Sequence, residues 1–242
     1  ALWIMAGLIG VIFACGLLWL PRQLGKAKAS KGVRELFAKS RGVNLLAFAR
    51  VFLFGARDVW FVVGVPVFLY ANGWGFTEVG TFLAAWTIGY GVVQALAPAL
   101  VRRSADGLSR EVPAARAWIG ALTVIPIILA LLLGQEHAWR PDLVLVGGLA
   151  VFGLVFAVVS SVHSYLILAY AGSEKAAEDV GFYYAANATG RLAGTLLSGL
   201  LYQSGGIVGC LAGSALMLAV CWVLSLALPP SVDGADSKIQ TA

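Results

Sequence analysis

Long apolar runs, separated by mostly short polar connections, constrain this sequence more than any other feature. Seven runs have the length of a helix that crosses about 30 Å of hydrocarbon. They fall at 1–20, 45–70, 78–101, 117–133, 143–169, 180–203 and 207–228. None shows the alternation of a barrel strand, so they predict helices. With 60% hydrophobic and only 12% charged residues, a soluble globule could not bury so much apolar surface. The sequence therefore predicts an all-α integral membrane protein with about seven transmembrane helices.

The polar segments between the runs predict how the chain is organised. Segment 21–44 is long and basic, whereas the other connections are short. The short connections contain residues typical of turns: Asn72-Gly73-Trp74-Gly75, Pro113, Pro141, Gly205-Gly206 and Pro229-Pro230. The predicted parts are a first helix (1–20), a basic loop (21–44), a six-helix bundle (45–228) and a tail (229–242).

Six helices after a long loop correspond to half of the 6+6 arrangement of major facilitator transporters. The first run, 1–20, has neither the charged start nor the cleavage site of a signal peptide, so it predicts a true span. It would then be the last helix of the N-terminal half, and we expect five earlier helices before it. That missing N-terminal half would be the partner of the six-helix bundle.

The placement of the basic residues predicts the orientation. If loop 21–44 is cytoplasmic, thirteen of the 17 Lys and Arg residues lie on that side and Arg140 alone lies outside. Positive residues in short loops are retained in the cytoplasm during insertion. We therefore expect a multi-pass protein of the cell membrane, with loop 21–44 and the C-terminus cytoplasmic. The net charge of +5 is then an insertion signal, and no nucleic-acid partner is expected.

Span 45–70 contains three ionisable residues, and such residues at bilayer depth mark candidate functional sites. Arg50 and Arg57 are seven residues apart and share a helix face. Arg57 is either a ligand for an anionic substrate, which its planar guanidinium suits, or an interhelical salt-bridge partner. Arg50 either joins it or snorkels toward the interface. Asp58 points about 100° away from Arg57, so we expect different neighbours for the two. It either pairs with an arginine of another helix or carries a proton.

Span 180–203 contributes a further arginine, Arg191, near its middle, and two arginines from different helices predict a clamp for an anion. Tyr184 and Asn187 share the face of Arg191 and could add hydrogen bonds, although a tyrosine here also suits an aromatic interface belt. Gly190-x-x-x-Gly194 predicts close helix packing. In span 143–169, His163 either relays a proton or is a hydrogen-bonded packing residue.

Motifs of soluble enzymes are absent from the sequence. It contains no nucleotide-binding loop, no zinc-protease motif and no serine-hydrolase motif. Cys15, Cys210 and Cys221 stand in apolar runs without a CxxC pair, which predicts packing residues and no metal site. The sequence thus predicts no enzyme, no cofactor and no metal, and any transport must draw on a gradient.

Three segments carry a resemblance to a known family. They are ARDVWFVVGVPVF at 56–68, HSYLILAY at 163–170 and DVGFYYAANATGRLAGTLLSGLLYQ at 179–203. With them the chain resembles the C-terminal part of the ArsJ-type organoarsenical efflux permeases of the major facilitator superfamily. The loop signature of that superfamily is degenerate here, as PALVRRSADGLSRE at 98–111. The resemblance implies efflux of 1-arseno-3-phosphoglycerate and arsenate resistance. It also implies a functional partnership with the glyceraldehyde-3-phosphate dehydrogenase that makes this substrate.

Two alternatives to this function stay open on the residues. One is a major facilitator transporter of another phosphorylated metabolite or organic anion. The other is a non-transporting membrane protein, such as a receptor or assembly partner, in which the charges inside the spans only fix helix packing. The residues themselves indicate the charge of the substrate, because the arginines suit an anion. The arsenic is implied by the resemblance alone.

Overall fold

The computed structural model describes residues 2–19, 40–100, 104–135, 140–171 and 176–230. The chain divides into two compact units, Ala1–Phe37 and Ala38–Ala242. In the first unit the described residues form one helix, α1 (Leu2–Trp19), which is apolar throughout. Most of the predicted basic loop 21–44, and the predicted tail from 231 onward, lie outside the described residues.

The second unit is built from helices in all of its described ranges. They are α2 (Arg41–Phe61), α3 (Gly64–Ala71), α4 (Phe76–Leu100), α5 (Glu111–Leu133), α6 (Pro141–Tyr170) and α7 (Ala176–Leu226). Counting α2 with α3 as one stretch, five segments are long and apolar enough to cross a membrane. Within the described residues, the prediction of an all-α protein with helices long and apolar enough to span a membrane is thereby confirmed.

Helix α7 folds back on itself at Gly205 and Gly206, whose backbone angles are not helical. Gly206 has a φ of 59°, a conformation that favours glycine. Across this turn, the Cys210 thiol donates to the carbonyl oxygen of Ser198, twelve residues earlier, at 3.6 Å. The 51 residues of α7 therefore form two facing arms, 176–204 and 207–226, which correspond to the last two predicted spans.

The stretch formed by α2 and α3 breaks at Val62 and Val63, where one continuous helix was predicted. Pro66 explains the position, because it lacks the N–H that would donate to the carbonyl four residues earlier. At the break, the backbone N–H groups of Val63 and Gly64 both donate to the hydroxyl oxygen of Ser198, at 3.2 and 3.3 Å. The first arm of α7 thus caps α3.

Small side chains on α7 bring it into backbone contact with α2. A Cβ added at Gly190 would lie 2.1 Å from the carbonyl oxygen of Val51, and one at Gly194 would lie 2.5 Å from that of Gly55. Gly190, Gly194 and Ser198 are four residues apart, so they share one buried face. This contact confirms the close packing predicted from the two glycines. It also places Arg191, the next residue, beside α2.

Two boundaries differ from the predicted ones. Helix α2 begins at Arg41, inside the predicted loop 21–44, because the hydroxyl oxygen of Ser40 accepts a hydrogen bond from the N–H of Val43 at 3.3 Å. Pro113, predicted to lie in a connection, lies in the first turn of α5. A proline is tolerated there because the first N–H groups of a helix have no intrahelical partner.

The two ends of the bundle carry different polar contacts. At one end, Arg116 donates to the carbonyl oxygens of Ser225, Leu226 and Leu228, which close the C-terminal end of α7. In the connection before α5 at the same end, hydrogen bonds from the Ser104 side chain and from the backbone of residues 108 and 109 lower the pKa of Asp106. At the opposite end, Arg140 pairs with Asp142 at 3.2 Å.

Candidate functional site

Two arginines meet at one carboxylate in the middle of the second unit. The Nε atom of Arg57 donates to Oδ1 of Asp58 at 2.6 Å, and the Nε atom of Arg191 donates to Oδ2 at 3.1 Å. Asp58 is 1% exposed. Arg57 and Asp58 lie near the middle of the stretch Arg41–Ala71, and Arg191 lies near the middle of the first arm of α7. The Arg57–Asp58–Arg191 triad therefore joins two helices halfway along their length.

The expected pairing of Asp58 with an arginine of another helix is present, because Arg191 donates to it. The prediction that Arg57 and Asp58 have different neighbours is wrong, because Arg57 also donates to Asp58. Consecutive residues do leave a helix in different directions, but the arginine side chain is long enough to turn back toward the next residue. Asp58 reaches α7 at the same time because Gly194 lies against it: an added Cβ there would be 3.1 Å from Cβ of Asp58. Asp58 thus holds one arginine of its own helix and one of another.

Phenylalanine rings surround the guanidinium of Arg57. Its Cζ atom lies 5.4 Å from the ring centroid of Phe54, 5.7 Å from that of Phe61 and 5.8 Å from that of Phe156. Arg50, Phe54, Arg57 and Phe61 follow one another at three- or four-residue steps, so they form a ladder on one face of α2. These rings were not predicted from the sequence, although their helical spacing from the arginines was a readable signal.

Arg50 occupies a different environment two turns earlier on α2. It is 3% exposed and donates through Nη1 to the carbonyl oxygen of Ser160 on α6, at 3.3 Å. Its Cζ atom lies 4.0 Å from the ring centroid of Phe54 and 4.8 Å from that of Tyr183. No carboxylate of the described residues forms an ion pair with it. Arg50 is therefore held by a carbonyl dipole and two ring faces, and it does not snorkel.

Several buried polar atoms near Arg50 lack hydrogen-bond partners within the described ranges. They are Nε of Arg50 and both ring nitrogens of His163, whereas the hydroxyl of Tyr183 interacts with the Ser164 side chain. His163 and Tyr183 are each 0% exposed, and Arg50 acts electrostatically on both. We call these three residues the Arg50 cluster. The interpretation of His163 as a hydrogen-bonded packing residue is wrong within the described residues, because neither ring nitrogen has a hydrogen-bond partner there.

Arg191 and Tyr184 lie on an uncovered face of the first arm of α7. The Arg191 side chain is 57% exposed and Tyr184 is 55% exposed. Asn187 lies between them in sequence, and its Oδ1 atom is buried without a partner among the described residues. Neither Tyr184 nor Asn187 is hydrogen-bonded to Arg191 in that part of the chain; the Tyr184 ring instead packs edge-on against Tyr183 at 5.6 Å. Tyr184 and Asn187 thus share a helix face with Arg191, as predicted, but they do not form the predicted hydrogen bonds with it.

Next to this polar face, α7 presents an exposed stripe of leucines. Its members are each more than 60% exposed: Leu192, Leu196 and Leu200. Leucine is the side chain expected against lipid tails, whereas a charged side chain at such a depth faces water or protein. The exposed surface of α7 therefore has two parts. The leucine stripe suits lipid, and the face with Arg191 and Tyr184 suits a polar solute.

The triad is chemically suited to anion binding. Two guanidinium groups and one carboxylate leave one net positive charge, and the phenylalanine rings limit its contact with water. In the described ranges no three His, Cys, Asp or Glu side chains are grouped closely enough to hold a metal ion. Ser198 and Ser160 were not predicted from the sequence either, because their roles depend on contacts between helices.

The fold and this site together define a multi-pass, helical membrane protein in which two arginines of different helices share one carboxylate halfway along the helices. No protein-family model matches the chain, and no curated protein matches it. The resemblance of the three sequence segments to the organoarsenical permeases therefore stays a prediction.

Proposed function

We propose that this chain belongs to a secondary transporter that exports an organic anion by alternating access. The observation that carries the proposal is the meeting of Arg57 and Arg191, from different helices, halfway along a membrane-spanning bundle. Discontinuous helices at mid-depth are typical of transporter binding sites. The break between α2 and α3, four residues beyond Asp58, has this character.

A packing role alone explains the triad less well. One arginine is enough to neutralise Asp58, so the second leaves the triad with one net positive charge that packing alone does not require. Arg191 is also more than half exposed, on the face that carries Tyr184. A guanidinium that is held at one edge and open at the other can accept a second anion, because its five N–H donors are not used by one carboxylate.

The favoured cargo is 1-arseno-3-phosphoglycerate, supplied by a glyceraldehyde-3-phosphate dehydrogenase that uses arsenate. Support for this cargo comes from the resemblance of the three segments, and its several negative charges suit two arginines. The proposal includes an N-terminal half that completes the site, a location in the cell membrane, and loop 21–44 and the C-terminus on the cytoplasmic side. Another phosphorylated metabolite on the same scaffold is the closest alternative.

Charge-removing variants test the anion site. Arg57→Gln and Arg191→Gln, in the complete protein, are expected to remain folded in the membrane and to lose export of the anion by at least tenfold. Arg140→Gln is the matched control, because Arg140 is an exposed arginine at the end of the bundle. Variants that unfold without a selective loss of export would favour the packing role.

Resistance assays test the cargo. Cells that lack other arsenic exporters receive the complete protein, with or without the dehydrogenase. We expect arsenate resistance only when both are present. Resistance that is independent of the dehydrogenase would reject the arsenylated glycerate, while leaving transport of another anion intact.

A further inference from the structure

Asp58 occupies the position that a bound anion would need. Each of its two carboxylate oxygens accepts a hydrogen bond from a different arginine, Arg57 or Arg191. A carboxylate is itself one of the anions that guanidinium groups bind best. The side chain therefore fills the site as a ligand attached to the chain would.

The backbone that carries Asp58 is held in place. Gly194 lies against its Cβ, and the hydroxyl of Ser214 donates to the carbonyl oxygen of Ala56 at 2.7 Å. Both arms of α7 thus fix this part of α2. The backbone of Asp58 therefore cannot move away from the arginines. The ion pairs of Asp58 are weakened instead by protonation of its carboxylate or by rotation of its side chain.

We propose that Asp58 is a tethered competitor, so that the anion and a proton bind to the triad together. This inference rests on the proposed function of the triad as an anion site. Protonation of Asp58 removes the negative charge that holds Arg57 and Arg191, and both become available to the anion. Conversely, an anion that holds both arginines favours protonated Asp58, because linkage is reciprocal. The affinity for the anion therefore rises as the pH falls.

Charge matching then favours a doubly charged group on the substrate as the part that the triad binds. With Asp58 ionised the triad carries one net positive charge, and with Asp58 protonated it carries two. The charged side chains that contact Asp58 within the described ranges are Arg57 and Arg191. Nearby, α3 has no charged residue, α6 contributes Phe156 and the second arm of α7 contributes Ser214. A phosphate monoester or an arsenate ester has the charge that the protonated triad neutralises.

This linkage sets the direction in which a gradient can act. Because the proton and the anion move together, an inward proton gradient would drive the anion inward. Export must instead draw on the concentration of the anion and on an inside-negative membrane potential. A substrate with two or more negative charges that leaves with one proton still carries net negative charge outward, so the potential favours its exit.

The test is calorimetric binding of 3-phosphoglycerate to the complete purified protein between pH 6 and pH 8. At pH 8 its phosphate is ionised, since a phosphate monoester has a second pKa near 6. Titrations in buffers of different ionisation enthalpy then count the protons exchanged by protein and ligand together, and the protons that the phosphate itself releases near pH 6 are subtracted to leave those taken up by the protein. We expect net uptake, approaching one proton as the pH falls. We expect Asp58→Asn to bind at least tenfold more tightly at pH 8, without this uptake. Asp142→Asn, which removes another arginine-paired carboxylate, should behave like the wild type.

Each outcome is decisive. No proton uptake by the wild-type protein on binding overturns the inference, and this result needs no variant that has to fold. Weaker binding by folded Asp58→Asn overturns it too. If the wild-type protein and Arg57→Gln bind the probe equally, or neither binds it, the proposed anion site fails as well. Binding that requires Arg57 but takes up no proton leaves the anion site standing and rejects the competitor role alone.

Discussion

Arg57 and Arg50 both lie against the ring of Phe54, two helical turns apart, yet their surroundings differ. Arg57 shares the carboxylate of Asp58 with Arg191, and each carboxylate oxygen has a donor. Arg50 has a carbonyl oxygen and two rings as partners, and it stands beside the ring nitrogens of His163, which have no hydrogen-bond partner among the described residues. One polar cluster is satisfied and the other is not.

This difference predicts opposite responses to substitution. A satisfied buried network is stabilising as it stands, because removing one member leaves the others unpaired. A cluster with unpartnered polar atoms already bears that cost, so replacing those atoms with apolar groups can raise stability. If natural sequences retain such a cost, it is most readily explained by a function. Unfolding measurements on the complete protein in detergent can therefore separate the two clusters.

The largest effect is expected from separating the two helices that form the triad. Gly190→Leu would place side-chain atoms where the backbone of Val51 lies, because even a Cβ would be 2.1 Å from its carbonyl oxygen. We expect a loss of roughly 3 kcal/mol or more in the free energy of unfolding, together with loss of the Arg191–Asp58 pair. The matched control is Gly199→Ala on the same arm, where an added Cβ meets nothing within 4 Å. It should be neutral or stabilising by up to about 1 kcal/mol. Equal losses in both variants would show that the contact with α2 is not the cause.

Removing the carboxylate is expected to have the second-largest effect. Asp58→Asn leaves two neighbouring guanidinium groups without a counter-ion, and breaking buried pairs in this way costs about 3–5 kcal/mol. We expect a value of about 3 kcal/mol or somewhat less, because Arg191 is 57% exposed and can turn toward water. The measurement is thermal unfolding followed by tryptophan fluorescence.

Asp142→Asn supplies the comparison for that measurement. Asp142 also pairs with an arginine, but Arg140 is 56% exposed at the end of the bundle. Exposed ion pairs contribute about 0–1 kcal/mol, so the loss should be below about 1 kcal/mol. A smaller loss for Asp58→Asn than for Asp142→Asn would contradict the description of the triad as a satisfied, buried network.

The sequence predicts the helices well because each spanning helix is a long apolar run with turn-forming residues at its ends. The fold-back of α7 at Gly205 and Gly206 and the close contact at Gly190 and Gly194 were both readable, since they depend on glycine. The break at Val62 was readable in part, because Pro66, four residues further on, is a proline within a span, where helices kink. Its cap was not readable, because Ser198 comes from a different helix.

The sequence predicted which residues form the candidate site, but it did not predict which of them contact one another. Charges inside apolar runs identified Arg57, Asp58 and Arg191, because such residues stand out in any membrane span. Helical directions alone then separated Arg57 from Asp58 wrongly, since they ignore how far an arginine can bend. The same directions grouped Tyr184 and Asn187 with Arg191, although a shared face does not guarantee a hydrogen bond. Contacts of this kind depend on side-chain conformation and on neighbouring helices.

His163 offers a sharper test of the unsatisfied cluster. His163→Leu removes two ring nitrogens that are buried without partners in the described ranges while keeping most of the side-chain volume. Each unpartnered buried polar group costs about 1–3 kcal/mol, so we expect the variant to be more stable by about 1–2 kcal/mol. A gain in stability combined with a loss of transport would assign His163 a functional role. A loss of stability would mean that His163 has a partner in the folded protein, and the contrast between the clusters would weaken.

Arg50 gives the smallest expected effect and the closest comparison with the triad. Arg50→Met keeps an unbranched apolar stem against Phe54 and Tyr183 and removes a buried cation that has no carboxylate partner among the described residues. The lost hydrogen bond and ring contacts oppose the gain from removing the charge, so we expect a change within about 1 kcal/mol in either direction. Arg57→Met should cost more, by about 1–2 kcal/mol, because it leaves Asp58 with Arg191 alone. Both values come from the same thermal unfolding measurement. If Arg50→Met cost as much as Asp58→Asn, Arg50 would have to be neutralised by an anion in the folded protein. The two clusters would then both be charge-paired.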